Sequence, residues 1–202
     1  MIDPERVRAN LERVRERIGT EVEICAATKY VEAADLPALA EAGIGLVGEN
    51  RAQDMLAKQA EHGDLFEWDF IGALQSRKVR DVAPAVRLIH SVASESALKQ
   101  LERHPAREVL IEVNVAGEEG KAGIAPAELP AYLERCPVPV TGLMTMPPFA
   151  EDPERSRPHF ARLAELAAEH GLARLSMGTT QDYEVAVGEG ATIVRLGTIL
   201  YE

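Results

Sequence analysis

Eight times along this chain a short apolar run gives way to an amphipathic one, and that alternation leaves few folds open. The apolar runs are residues 21–28, 44–47, 68–71, 86–92, 108–115, 138–146, 174–177 and 192–196, of which 174–177 is the shortest in character. Between them helices are expected over 32–42, 52–61, from Ser76 to a stop before Pro84, from the N-cap Ser94 to Arg103, and over 127–135. The longest helix is expected from Asp152-Pro153 to about His170, with one more ending near Gly188. Strands that alternate with helices pair in parallel through right-handed crossovers, and eight such units close most simply into a (β/α)8 TIM barrel. No helix follows the eighth strand. A leading helix stands before the first instead: Asp3-Pro4 caps it, Val7, Leu11, Val14 and Ile18 form its apolar stripe, and Gly19 ends it. It is expected to replace the missing barrel helix, so that residues 1–202 form one α/β domain.

Composition narrows the function classes. The chain has 202 residues, 46% of them hydrophobic, enough for one sizeable core. Two cysteines, Cys25 and Cys136, make no disulfide framework and no metal-ligand spacing, so no metal is expected. The first ten residues lack the apolar core of a signal peptide and no run is long enough to span a membrane, which points to a cytoplasmic protein. A formal net charge of -11 argues against nucleic acid as a partner, while a local anion pocket built from backbone N–H groups stays compatible with it.

In such a barrel the carboxyl ends of all the strands lie on one face, where barrel enzymes carry their chemistry. Lys29, Asn50, Gln75, His90-Ser91, Asn114, Thr145, Ser176 and Arg195 fall at or just past those ends. Singly each has a bland role: asparagine caps a turn, a lone histidine satisfies a hydrogen bond in the core, and Met144 and Met146 fill space. Lys29 closes the first apolar run, where loss of hydration is expected to lower its pKa and free its amine for Schiff-base chemistry. The alternative is a lysine that snorkels past the strand end into water. Ser176-Met177-Gly178-Thr179-Thr180 and Arg195-Leu196-Gly197-Thr198 supply glycines and hydroxyls after the seventh and eighth strands, where barrels commonly bind phosphate. A pair of ordinary Gly/Thr/Ser turns would read the same way.

Together these residues resemble a known family. Ala27-Thr28-Lys29, Gly48-Glu49-Asn50, Phe70-Ile71-Gly72 with Leu74-Gln75, Ile89-His90-Ser91-Val92, Val113-Asn114, Gly142-Leu143-Met144, Leu175-Ser176-Met177-Gly178 and Val194-Arg195 with Gly197-Thr198 are similar to the pyridoxal phosphate homeostasis proteins, single-domain relatives of the amino-terminal barrel of alanine racemases. The resemblance implies pyridoxal 5'-phosphate held as a Schiff base on Lys29. It places the phosphate around Ser176, Gly197 and Thr198, Arg195 at the pyridine nitrogen, and Asn50, Met144 and Met177 along the site. Three departures stand out: the family usually has histidine where Asp69 stands, methionine-serine where Thr179-Thr180 stand, and a small residue and phenylalanine within 199–201. Asp69 is therefore a candidate for the pocket lining.

The function that follows is binding, buffering and handover of pyridoxal phosphate by a monomer, with apo-enzymes that depend on it as recipients and no catalytic residues of its own. An arginine at the pyridine nitrogen makes the ring a poorer electron sink than a carboxylate would. Racemases of this type add a second base, a tyrosine from a separate β domain, and Tyr30, Tyr132, Tyr183 and Tyr201 include no such residue. The rival readings are a weak racemase with Lys29 as one base and a Schiff-base aldolase without cofactor.

Overall fold

Parallel pairing of each strand with the next, and of the eighth with the first, closes the sheet into a barrel in the computed structural model, which describes residues 2–202. The strands are β1 (Glu23–Ala27), β2 (Leu46–Glu49), β3 (Glu67–Phe70), β4 (Leu88–Val92), β5 (Val109–Glu112), β6 (Val140–Met144), β7 (Arg174–Thr179) and β8 (Ile193–Leu196). β1 is the seam: Ala26 lies opposite Val47 of β2 on one side, and Cys25 opposite Arg195 of β8 on the other. The expected (β/α)8 architecture, like that of the alanine racemase amino-terminal domain, is what forms.

The outer ring is α1 (Pro4–Ile18), α2 (Leu36–Glu41), α3 (Ala52–His62), α4 (Val79–Val82), α5 (Glu95–Arg103), α6 (Leu129–Arg135), α7 (Arg157–Glu169), α8 (Tyr183–Gly188) and α9 (Thr198–Tyr201). In α1 the Asp3 carboxylate accepts from the Glu5 N–H at 3.0 Å, Pro4 fixes the first turn, and Gly19 ends the helix at φ 75°. Two expectations about the ends of the chain need correcting. The eighth strand is followed by a helix after all, the single turn α9, and α1 docks on it, the buried Asn10 side chain donating to the Leu200 carbonyl at 3.2 Å. α1, with 15 residues, is also longer than α7, with 13, because the first turn after Asp152 is a 3₁₀ turn over Pro153–Ser156. β7 is six residues long rather than short, since Gly178 and Thr179 extend it. Among the described residues no helix is long and apolar enough to cross a membrane.

Two apolar clusters divide the interior. The larger, with Val47, Phe160, Leu163, Met177 and Val194, fills the layer between sheet and helices. The smaller, Cys25, Leu46, Leu88, Leu110, Met144 and Ile193, fills the bore. Alternation along each strand sends neighbouring side chains to opposite faces, so Ile193 packs in the bore cluster and Val194 in the outer layer. The bore also admits charge. Asp69 is fully buried there and is met by Arg87, whose guanidinium reaches on to Glu23; Arg174 joins Glu23 and Glu108 at the same end.

On β6, a Cβ added at Gly142 would lie 2.0 Å from the Arg174 carbonyl oxygen on β7. No rotamer change relieves a clash with backbone, so the β6–β7 pairing must open. Gly142→Ala is expected to cost about 1–3 kcal/mol or more, read as a lower urea midpoint; an unchanged midpoint would mean that the strands can separate freely at this point.

Candidate functional site

Loops after all but one of the strands converge on a cavity of about 880 Å³ at the carboxyl end of the bore, within the range of small-molecule and cofactor sites. Lys29, Asn50, Met144, Arg195, Gly197 and Thr198 line it together, as do Glu112, Thr180 and Tyr201. Ser176 and Met177 do not. Met177 packs in the layer between sheet and helices because the alternation that turns Ser176 inward turns its neighbour outward. Ser176 points into the bore but below the cavity, its hydroxyl held by His90 and Arg195. Asp69 also lies deeper, joined to His90 and Arg87 rather than lining the pocket.

Lys29 is two residues past β1 and exposed, with its ammonium 4.6 Å from the centre of the Tyr30 ring and no hydrogen bond or ion pair among the described residues. The expected desolvation at the strand end is absent, because the chain has turned out of the bore by that point. What fixes Lys29 is its neighbour. The fully buried Thr28 gives its carbonyl to the Lys58 ammonium at 2.7 Å and its hydroxyl to Glu49 at 2.8 Å, and Lys58 closes the triangle on Glu49 at 2.5 Å. Removing one partner of such a buried pair strands the other charge, at about 3–5 kcal/mol. The pair ties the end of β1 to β2 and to α3, and so sets where Lys29 leaves the sheet.

Arg195 is 5% exposed and meets no carboxylate. One Nη donates to the Ser176 carbonyl at 2.8 Å and to its hydroxyl at 2.6 Å, the other to the Thr145 carbonyl at 3.0 Å and to the Met146 thioether at 2.7 Å. Burial pulls its pKa below the ordinary arginine value, yet a guanidinium stays charged in proteins. A buried cation satisfied only by neutral acceptors suits a ligand that accepts hydrogen bonds or carries negative charge. Above it the loops after β7 and β8 are tied together: the Gly197 N–H donates to Thr180 Oγ1 at 3.3 Å, and Asp182 accepts from both the N–H and the hydroxyl of Thr179. Gly178 makes this turn at φ 92°, a conformation that other residues rarely adopt. Thr180 is thus placed beside Gly197 and Thr198, a residue that the sequence offered both in the hydroxyl-rich run after the seventh strand and as a departure from the family pattern.

Other strand-end residues serve the fold. Asn114 caps its own loop through Glu118, Gln75 bonds Arg77 on the surface, and Thr145 donates to the Val113 carbonyl at 2.8 Å. Glu112 and Tyr201 are the additions. Tyr201 donates to the Ala27 carbonyl at 3.2 Å, and burial pushes its hydroxyl pKa upward. Glu112, on β5 across the barrel from β1, is 7% exposed and its carboxyl has no hydrogen bond or ion pair among the described residues. A glutamate inside an otherwise apolar run, Val109 to Val115, was the signal that could have found it. An exposed amine, a buried guanidinium and a cluster of backbone and hydroxyl donors in one cavity suit a carbonyl compound that carries an anionic group.

Comparison with known proteins agrees. The family model "Alanine racemase, N-terminal domain" matches residues 2–202. The pyridoxal phosphate homeostasis protein of Aquifex aeolicus is 42% identical over 98% of this chain and 96% of its own, and that of Pseudomonas aeruginosa 40% identical over 89% and 84%. Among solved structures, PipY of Synechococcus elongatus with pyridoxal phosphate bound is 32% identical and superposes with a TM-score of 0.85, covering 97% of this chain and all of that one; without pyridoxal phosphate the TM-score is 0.89.

Burial pushes the Glu112 carboxyl above the ordinary value of 4.5. As pH rises past that value the unfolded chain ionises first, so stability is lost with rising pH. Glu112→Gln removes that loss. Its melting temperature is expected to match the parent near pH 4 and to exceed it above about pH 5, levelling off once the folded-state carboxyl has ionised; an equal shift at both ends would show that the carboxyl carries no burial penalty.

Proposed function

The chain belongs to the pyridoxal phosphate homeostasis proteins, built on the alanine racemase amino-terminal domain, and from that membership and the cavity we propose that it binds pyridoxal 5'-phosphate on Lys29 and holds it for handover. What carries this reading is that an unpartnered amine, Lys29, and a buried cation without a carboxylate, Arg195, line one cavity. When bound, the cofactor supplies an aldehyde for condensation with amines and a ring that can take up charge. Lys29 is the amine for that aldehyde. Thr180, oriented by the Gly197 N–H, and Thr198 would supply donors for the phosphate, Asn50 and Met144 would line the ring, and Arg195 would lie at its nitrogen.

The same residues argue for a carrier rather than an enzyme. Arg195 cannot give up its proton, so the nitrogen it faces receives a hydrogen bond without gaining a proton, and the ring withdraws electrons weakly. Lys29 can move a proton on one face of a bound amino acid only, and a positioned acid or base on the other face contributes about 10²–10⁴-fold. Tyr201 donates its proton to the Ala27 carbonyl and burial raises its hydroxyl pKa, so it stays protonated and offers no base on the other face. In this reading the protein is a cytoplasmic monomer of one domain, residues 1–202, that delivers the cofactor to apo-enzymes and binds no nucleic acid.

Two measurements test the reading. Borohydride reduction of the loaded protein followed by peptide mapping is expected to find the pyridoxyl group on Lys29 and on none of Lys58, Lys78, Lys99 or Lys121; a group fixed elsewhere moves the site. Interconversion of L- and D-alanine by protein free of host racemase is expected to stay below about 1 s⁻¹, the low end of ordinary turnover; a faster rate that disappears in Lys29→Ala would make the protein an enzyme.

A further inference from the structure

Beneath the cavity runs a line of buried polar side chains whose hydrogen bonds can be oriented in one direction only. Arginine donates and cannot accept, so at 2.6 Å from Arg195 Nη1 the Ser176 oxygen is the acceptor. The serine oxygen could accept twice, but its single proton has no acceptor among the described residues other than His90 Nδ1 at 2.8 Å, which therefore accepts. The His90 proton then sits on Nε2 and is donated to Asp69 Oδ2 at 3.0 Å. Asp69 is a carboxylate, since Arg87 donates to both of its oxygens at 3.0 and 2.8 Å. Ser176, His90 and Asp69 are nearly or wholly sealed from water, so none has solvent as an alternative partner.

The opposite order fails. Were His90 an imidazolium, its Nδ1–H would point at an oxygen that already receives Arg195, and the serine proton would have no acceptor among the described residues. The charged groups that act on His90 are Asp69, Arg87 and Arg195. Burial, the largest influence, lowers its pKa against the pull of Asp69, so the ring is neutral near pH 7. Asp69 is pushed up by burial but drawn down further by the hydrogen bonds from His90 and Arg87, with a net fall. The order of donation needs an acceptor below His90, and the Asp69 carboxylate supplies it.

We propose that Asp69 and His90 are positioning residues that act through Ser176 to fix the Arg195 guanidinium against the cavity. The direction presented to the ring nitrogen is thereby set by a hydrogen-bonded chain reaching down the bore to Arg87. This rests on the reading that the cavity holds pyridoxal phosphate with Arg195 at the ring nitrogen. It also takes Ser176 away from the phosphate, because a serine whose one proton goes to His90 has none to donate.

The test compares pyridoxal phosphate with pyridoxal, which has the same ring and aldehyde but no phosphate. Ser176→Ala is expected to weaken both by about tenfold or more, leaving the ratio of the two affinities unchanged within about twofold, and to shift the near-visible band at saturation. A loss confined to pyridoxal phosphate would assign Ser176 to the phosphate and overturn the proposal. Asp69→Asn is expected to weaken both ligands likewise, and unchanged affinities in a folded Asp69→Asn protein would overturn it. Because that variant also strands the Arg87 charge, ¹⁵N NMR of His90 in the unaltered, ligand-free protein stands beside it: between pH 6 and 8, Nε2 is expected to be protonated and Nδ1 bare. A proton on Nδ1 would reverse the chain and overturn the proposal. Absence of any near-visible band with pyridoxal phosphate in the unaltered protein would remove the proposed function, and the NMR result would still decide the hydrogen-bonded chain.

Discussion

The bore of this barrel has to hold a guanidinium that water cannot reach, and much of the interior is arranged around that need. Arg195 has no carboxylate beside it. A buried cation in that state is costly unless its donors are satisfied. Here two carbonyls, a hydroxyl and the Met146 thioether take them up, and the hydroxyl bonds on through His90 to the anion Asp69. A salt bridge at Arg195 would have neutralised the charge more directly and hidden it from a ligand. The carboxylates that act on Arg195 without bonding to it, Glu112 and Asp182, line the same cavity.

The amine is held on a different principle. Lys29 is exposed at the surface of the cavity, but the residue before it is fully buried and held by Glu49 and Lys58. Thr28, Glu49 and Lys58 form a closed buried triangle, so the backbone at the end of β1 cannot drift relative to β2. An amine that must form a bond with an incoming aldehyde and later release it benefits from a fixed base and a free tip. Arg195 on β8 and Lys29 after β1 meet at the seam where the barrel closes.

Much of this was readable in the sequence because it depends on local pattern. Eight apolar runs broken by helix caps and glycines define a barrel before any contact is known, and the strand ends then fall on one face without further assumption. Lys29, Asn50, Arg195, Gly197 and Thr198 were found in that way, and Met144 through the family resemblance. The misses came from features that period and spacing do not encode. Alternation decides which of Ser176 and Met177 faces inward, but only the register of β7 fixes the phase. Glu49 with Lys58, and Asp69 with Arg87, look like ordinary surface charges in one dimension and become buried pairs only when β2, α3, β3 and β4 are packed. The single turn α9 is too short to show helical periodicity, and Glu112 was hidden by the apolar run around it.

The central claim, that this cavity holds pyridoxal phosphate through Lys29, is tested most directly by the absorption spectrum of the protein after incubation with pyridoxal phosphate and passage through a desalting column. The account predicts a near-visible band that stays with the unaltered protein and is absent from a folded Lys29→Ala variant. A band of equal intensity in both, or in neither, would contradict it.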